Sequence, residues 1–186
     1  MSHSHTLRFL FLFFCLIHAP LFSSSSQQPH IMLPSQPTEK KLTTLHFYYH
    51  DILEGENRTV VQIIDPSNTP NSLGTTFMMD NVLTEGPELS SKQVGRAQGM
   101  FGLASIHDRG MVMLINFAFS EEGEYKGSTL SMLGRNPVMD TVREMPIVGG
   151  TRLFRFASGF AIAKSLWSIS TEQHFVVEYN ITVSLP

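Results

Sequence analysis

Apolar and polar residues alternate along most of this chain, and this two-residue period constrains the fold more than any other feature. Successive side chains of a β-strand point to opposite faces, so the alternation predicts half-buried strands. No window of helical length carries an apolar stripe of period 3.6. The chain is therefore predicted to be all-β, with strands at 45–52, 59–64, 75–83, 95–105, 111–119, 127–133, 147–150, 153–164 and 175–185.

Turn residues separate these segments at fairly even spacing. Gly55 follows the first strand, and the segments 108–110 and 121–125 supply two further turns. Many short strands joined in this way predict either a β-sandwich or a closed barrel. We favour the barrel because closure leaves no exposed edge, and about eight strands enclose room for side chains or one small ligand.

The segment 111–119 is apolar on both faces, apart from Asn116. One face belongs to the interior, so the outer face needs a cover as well. A subunit interface or a loop of the same chain provides one, and the sequence leaves both open.

Residues 1–26 are predicted to be a signal peptide. Arg8 precedes the apolar run Phe9 to Ile17, and the small residues Ser23 to Ser26 follow. The run is too short to cross a bilayer, which takes roughly 20 apolar residues. We expect export, a disordered lead-in at 27–41 and one domain at 42–186, since the lead-in is rich in Gln, Pro, Ser and Lys.

The exported chain is predicted to contain no cysteine, because Cys15 is the only one and lies in the leader. Disulfides, a thiolate nucleophile and cysteine–metal sites are then excluded. A net charge of −3 without a Lys/Arg cluster argues against nucleic acid and anionic membranes as partners.

Two glycosylation sequons fit the predicted secretory route. Asn57-Arg58-Thr59 follows what reads as a hairpin tip, and Asn180-Ile181-Thr182 places Asn180 on the polar face of the last strand. Both asparagines are predicted to be exposed and glycosylated.

Two charged residues are candidates for chemistry. Asp51 ends a row of alternate residues that contains Phe47 and Tyr49, and burial on that face would raise its pKa and suit it to acid–base work. The alternative is an aspartate that caps a turn. Arg143 either points inward, where it can bind a phenolate or carboxylate, or forms a salt bridge with Glu144 at the rim.

His46 and His50 occupy the opposite face of the first strand. They stand roughly 13 Å apart at about 3.3 Å per residue, too far to share a metal, so we expect solvated surface histidines. The sequence contains no P-loop, dinucleotide fingerprint or nucleophile elbow. No metal site and no cofactor are predicted.

Six motifs occur in a fixed order along the chain. They are FYYHDI (47–52), VGRAQG (94–99), YKGSTL (125–130), GRN (134–136), REMPIVGGT (143–151) and FRFA (154–157). Together they resemble the plant dirigent proteins, from about Thr44 to the C-terminus.

The resemblance implies an eight-stranded antiparallel β-barrel with an apolar central cavity, exported to the apoplast as a homo-oligomer, a homotrimer or a homodimer. Members of this family oxidise nothing themselves. A separate laccase or peroxidase makes phenoxy radicals, and the dirigent protein holds two of them so that coupling gives one stereoisomer. The implied ligand is a small phenolic substrate or its radical.

By position, Asp51 and Arg143 match pocket residues of the family that help to protonate a quinone methide. We expect Phe47, Tyr49, Asn136 and Phe117 to contact the substrate. Asn136 stands where lignan-forming members carry an aspartate, and an amide cannot serve as a carboxylic acid.

The Gly-Arg-Asn form at 134–136 instead resembles a broader branch, some of whose members dehydrate isoflavanols to pterocarpans. Arg152 and Ser158 also depart from the family, which usually has Gly and Arg at these positions. The first can change a loop and the second removes a charge.

Three functions follow from the resemblance and stay open. The chain directs the coupling of phenoxy radicals, for example those of coniferyl alcohol in lignan formation. It dehydrates its substrate through a quinone methide, with Asp51 as acid or base and Arg143 stabilising a phenolate. Or it binds a phenolic or lipid ligand in defence without catalysis.

Overall fold

The computed structural model describes residues 41–186 and contains nine β-strands. Their bounds are β1 Lys41–Ile52, β2 Val60–Ile64, β3 Thr76–Thr84, β4 Gln93–Leu103, β5 Gly110–Phe119, β6 Thr129–Pro137, β7 Val142–Gly150, β8 Ser158–Ser165 and β9 His174–Leu185. The predicted signal peptide and all but the last residue of the predicted lead-in lie outside the described residues. Within residues 41–186, no helix is long or apolar enough to cross a bilayer.

Eight of the strands close into an antiparallel barrel. Neighbouring strands follow the order β1-β9-β8-β7-β6-β5-β4-β3, and β1 returns to β3 to complete the ring. The closing seam pairs Tyr48 with Thr84 and His50 with Val82. β2 is an extra strand that pairs with the other half of β3, from Val60↔Met79 onward. The predicted closed eight-stranded barrel is confirmed, and the sandwich alternative is wrong.

The alternation of the sequence sets the inside and outside of the barrel. Phe47 and Tyr49 of β1 are buried in the interior. In β5, Ile115 and Phe117 are buried, whereas Leu114 is 45% exposed. The predicted two faces of β5 are confirmed, and no described loop covers the outer face.

Several predicted strand bounds shift by up to four residues, for example β1 begins at Lys41 and β6 ends at Pro137, and two predictions need a larger correction. The predicted strand 153–164 begins with a 3-10 turn, Arg152–Phe154, and extended structure starts only at Ser158. The left-handed backbone at Arg152 (φ 51°) and Phe156 (φ 62°) interrupts the strand here. The turn buries Phe154 in the interior. This residue fits the two-residue pattern, but it reaches the interior from a loop and not from a strand.

The predicted strand 147–150 is shorter than β7, because a charge occupies one of the inward positions of this strand. The strand begins at Val142, and Arg143, Met145 and Ile147 are buried between exposed neighbours. An arginine at the first inward position hides the two-residue period from a hydrophobicity pattern.

Aromatic side chains fill one end of the barrel. Phe47 packs on Phe117 with ring centroids 5.2 Å apart, and Phe119 packs on Tyr125 at 5.0 Å and on Phe154 at 5.8 Å. These rings pack against one another, and the cavity described below lies toward the other end.

His50 is fully buried, and the prediction of a surface histidine is wrong for it. Its Nε2 lies 2.7 Å from the hydroxyl of Thr84, which donates to the Gly86 carbonyl, so His50 Nε2–H is the donor. Its Nδ1 then accepts from His174 Nε2 at 3.0 Å. Burial and then His174 lower the pKa of His50 to about 4, so the barrel seam carries a neutral hydrogen-bonded chain. His46 is exposed as predicted and contacts Glu178.

We expect Gly99→Ala to lower the free energy of unfolding by about 1–3 kcal/mol, because a Cβ there would overlap the Leu114 carbonyl of the neighbouring strand. Gly149→Ala is the matched control in β7, since nothing lies within 4 Å of its added Cβ. Urea denaturation of both variants measures the difference. Equal effects of the two substitutions would contradict the close approach of β4 and β5.

Candidate functional site

A cavity of about 440 Å³ occupies the end of the barrel opposite the aromatic cluster. It is lined by the C-terminal ends of β1, β4, β6 and β8 and the N-terminal ends of β3, β5, β7 and β9. Its walls are mostly apolar, with Phe77, Phe101, Met111, Met113, Trp167 and Phe175 among them. A few polar groups converge on it, which is the usual make-up of a small-molecule site.

Asp51 lines this cavity from the end of β1. Asn81 of β3 donates a hydrogen bond from Nδ2 to Asp51 Oδ1 at 3.0 Å. Burial raises the pKa of Asp51 to about 6, an effect that the Asn81 hydrogen bond partly offsets. The carboxyl therefore changes charge in mildly acidic solution, and the turn-capping alternative does not describe it.

Arg143 projects into the same cavity from β7 and is only 3% exposed. Its Nη1 donates to Ser165 Oγ at 2.9 Å and to the Asp140 carbonyl at 3.3 Å, while its Nε has no partner among the described residues. Burial lowers the pKa of Arg143, and the nearby Tyr179 and Asp140 act in the opposite direction. The inward orientation is correct, and the rim salt bridge with Glu144 is not formed.

Asn136 is another buried polar group of the cavity, 6% exposed near the end of β6. Its Nδ2 contacts Met113 Sδ at 2.8 Å, and its Oδ1 has no partner among the described residues. An unpaired buried acceptor is costly, so a donor on a ligand would satisfy it.

The three remaining predicted site residues, Tyr49, Phe47 and Phe117, divide into one that lines the cavity and two that support it. Tyr49 lines the cavity and its hydroxyl contacts Met79 Sδ at 3.1 Å. Phe47 and Phe117 do not line it and belong to the packed end. Both rings lie against Tyr179, which does line the cavity, so they support its floor. The prediction that Phe47 and Phe117 contact the substrate directly is therefore not favoured by the structure.

The barrel order places the acid and the amide on opposite walls. β1 and β6 are four strands apart around a ring of eight, so Asp51 faces the wall that carries Asn136. Arg143 lies on β7, the strand next to β6. A ligand that spans the cavity can place one oxygen at the acid and another at the amide and guanidinium.

Sequence reasoning missed several lining residues. Tyr179 is on the same face of β9 as Val177, so strand parity was a usable signal for it. Arg109 and Trp167 lie in loops, where no periodicity marks an inward side chain. Among the described residues, no group of three or more His, Cys, Asp or Glu could hold a metal ion.

Two further positions lie away from the cavity. Arg152 donates to Glu121 at 3.0 Å and to the Lys126 carbonyl at 2.7 Å, at the aromatic end of the barrel. Ser158 begins β8 at that same end and is exposed. The departures at these positions therefore alter the closed end and leave the cavity walls unchanged.

Asn57 and Asn180 are both exposed, as their sequons require. Asn57 lies in the turn between β1 and β2, and Asn180 points outward from β9. Glycosylation at the two positions stays a prediction.

Comparison with known proteins gives consistent matches. A family model described as "Dirigent-like protein" matches residues 42–184. "Dirigent protein 21" of Arabidopsis thaliana is 42% identical, over 98% of this chain and 99% of its own length. "Pterocarpan synthase 1" of Glycyrrhiza echinata is 48% identical, over 78% of this chain and 79% of its own length.

The fold matches a solved relative as well. The structure of the pterocarpan synthase dirigent protein GePTS1 superposes with a TM-score of 0.72 at 44% identity, covering 82% of this chain and 89% of the other.

The raised pKa of Asp51 makes a prediction about stability. Between its ordinary value of 3.8 and about 6, the native state holds a proton that the unfolded state has lost, so stability falls as pH rises through this range. Asp51→Asn removes this effect and should raise the free energy of unfolding by about 2–3 kcal/mol at pH 7. The gain should vanish near pH 4.

Urea denaturation between pH 4 and pH 7 measures this difference. Asp108→Asn is a control of opposite sign, because hydrogen bonds led by the Gly110 N–H lower the pKa of that exposed carboxyl. A gain for Asp51→Asn that is equal at all pH values would rule out titration as its cause.

Proposed function

The chain belongs to the dirigent-like protein family, and on that premise we propose that it binds a small phenolic substrate in its cavity and directs the stereochemistry of phenoxy-radical coupling. A separate laccase or peroxidase supplies the radicals. Each phenol loses one hydrogen atom to that oxidase to become a radical, and two radicals then join by one new bond without further oxidation. The protein's contribution is orientation.

The cavity is the observation that carries this proposal. Its apolar walls suit aromatic rings, and its few polar groups lie on opposite sides, where they can fix the direction of bound phenols. A tenfold preference for one coupling geometry over its mirror image needs only about 1.4 kcal/mol of differential binding. Small differences in wall shape are therefore sufficient.

One observation favours a second candidate, a pterocarpan-synthase-like dehydratase. Asp51 combines burial, contact with the cavity and a pKa of about 6, so both its protonated and its ionised forms are accessible. In the dehydration of an isoflavanol, Asp51 would protonate the departing hydroxyl as the C–O bond breaks, releasing water and leaving a quinone methide. Attack by a second phenolic hydroxyl then closes the ring and returns a proton to Asp51.

Arg143 supports the same chemistry from another wall. A phenolate that pushes electrons toward the breaking bond carries negative charge, and the unpartnered Nε of Arg143 is a buried donor for it. The phenolic proton goes to solvent and returns from solvent after ring closure.

Export to the apoplast completes the proposal. The apolar run 9–17 and the exposed positions of both sequons support it. Wall oxidases would supply phenoxy radicals in that compartment.

We also propose that a second copy of the chain covers an apolar row on the outer face of the barrel. Five directly paired residues form this row, Val61, Met78, Met100, Leu114 and Leu133, and each is between 37% and 46% exposed. Contiguous exposed apolar surface of this kind marks an interface. Copies of the chain that bury this row against one another form a homo-oligomer. We propose a homotrimer, the usual form in the family, with a homodimer as the alternative.

Chiral chromatography separates the two functions. With coniferyl alcohol and a one-electron oxidase, the protein should give an enantiomeric excess that is absent with oxidase alone. A racemic product, together with oxidase-independent consumption of an isoflavanol, would replace coupling by dehydration. Asp51→Asn should then reduce dehydration at least 100-fold while binding of the phenol persists.

Leu114→Lys should dissociate the oligomer, because it places a charge at the centre of the apolar row. Leu89→Lys is the matched control, since Leu89 is also 45% exposed but lies in a loop outside the row. Light scattering after size exclusion gives the mass of each variant. A wild-type monomer would contradict the proposed interface.

A further inference from the structure

A hydrogen-bonded chain behind Asp51 has no role in the function described so far. It consists of Thr59, just before β2, and Asn81, in the middle of β3. Asn81 is fully buried, and its amide is held on both sides. Its oxygen accepts from the Thr59 hydroxyl, and its Nδ2 donates to Asp51 Oδ1 at 3.0 Å.

The direction of each hydrogen bond follows from the first one. The backbone N–H of Ile52 donates to Thr59 Oγ1 at 3.2 Å. The hydroxyl has a single proton, which therefore points to Asn81 Oδ1. Because Oδ1 of Asn81 is held in this way, its NH₂ group faces Asp51 and cannot turn away.

Thr59 is itself fixed by the backbone on both sides. Its N–H donates to the Ile52 carbonyl at 2.9 Å, and its carbonyl accepts from Asp80 N at 2.9 Å. The hydroxyl thus sits at a junction of three strands, which is an arrangement set by the fold before any ligand binds.

The consequence for Asp51 concerns its two oxygens. Oδ1 faces a donor, so it is an acceptor in both charge states of the carboxyl. Oδ2 accepts no hydrogen bond from the described residues. It is also not one of the solvent-inaccessible atoms that lack a partner, so it is accessible from the cavity. The exchangeable proton then belongs on Oδ2.

We propose that Asn81 and Thr59 are positioning residues that place the exchangeable proton of Asp51 on the oxygen that faces the substrate. Neither touches the substrate, and both act through Asp51. The proposal deepens the proposed function at one point, the role of Asp51 as acid, and its first test needs no substrate.

The other titratable and charged groups around Asp51 stay unchanged in this test. Among the described residues that line the cavity they are Tyr49, Tyr179, Arg109 and Arg143. Burial raises the pKa of both tyrosines above their ordinary value, so they remain neutral where Asp51 titrates.

Thr59→Val is the main variant. Without the hydroxyl, Asn81 can turn and accept a proton from the neutral acid, which favours the protonated form of Asp51. We expect the midpoint of its ¹³C carboxyl titration, followed by NMR without substrate, to rise by about one pH unit. Asn81→Leu, which removes the donor itself, should shift the midpoint in the same direction.

Two controls separate the effect of the hydrogen-bonded chain from the loss of the glycosylation sequon and from misfolding. Thr59→Ser keeps the hydroxyl and the Asn-X-Ser/Thr pattern. Asn57→Gln removes the sequon and leaves the hydrogen-bonded chain intact. Both should titrate like the wild type. If Asn81→Leu does not fold, Thr59→Val and Thr59→Ser carry the comparison, since Thr59 is only partly buried.

An unchanged midpoint in folded Thr59→Val would overturn the proposal, whatever the protein's reaction is. A second readout is the alkaline limb of the pH profile for whichever product the protein forms. It should move upward together with the NMR midpoint. A shifted NMR midpoint with an unmoved alkaline limb would leave the positioning of the proton in place and count against Asp51 as the acid.

Discussion

Closure of the barrel at the seam between β1 and β3 is the constraint on which the rest of this structure depends. Only three residue pairs, including Tyr48↔Thr84 and His50↔Val82, form that seam. They hold the C-terminal end of β1 against β3, and so bring Asp51 next to Asn81. Buried His50 joins the two strands on the outside of the same seam through its hydrogen bond to Thr84, and half-buried His174 of β9 donates to its other ring nitrogen. The site and the closure of the sheet therefore rest on the same few residues.

The two ends of the barrel divide stability from function. Packed aromatic rings occupy one end, where they add burial and ring–ring contacts. At the other end, the chain keeps an unpaired donor on Arg143, an unpaired acceptor on Asn136 and a carboxyl whose burial raises its pKa. Each of these destabilises the empty fold. Such costs are typical of a site built for a ligand, and they are tolerated because the aromatic end is well packed.

The sequence was sufficient for the architecture and for part of the site. Two-residue periodicity identified the barrel strands and put Tyr49 and Asp51 on its inner face, because parity along a strand is a local property. It failed for β7, where Arg143 occupies an inward position, and for His50, whose cover comes from residues far along the chain. The hydrogen bond of Asn81 to Asp51 and the position of Trp167 in the cavity wall depend on contacts between distant segments, which no local pattern encodes. The motifs shared with the family located Arg143, which periodicity alone left undecided.

The central claim is that one cavity holds the phenol between the acid and the amide–guanidinium wall. A crystal structure of the protein soaked with coniferyl alcohol, in the absence of any oxidase, tests it most directly. The account predicts a phenolic ring between the apolar walls, with an oxygen within hydrogen-bond distance of Asn136 Oδ1 or Arg143 Nε. An empty cavity at saturating ligand, or a ligand bound only on the outer face of the barrel, would contradict it.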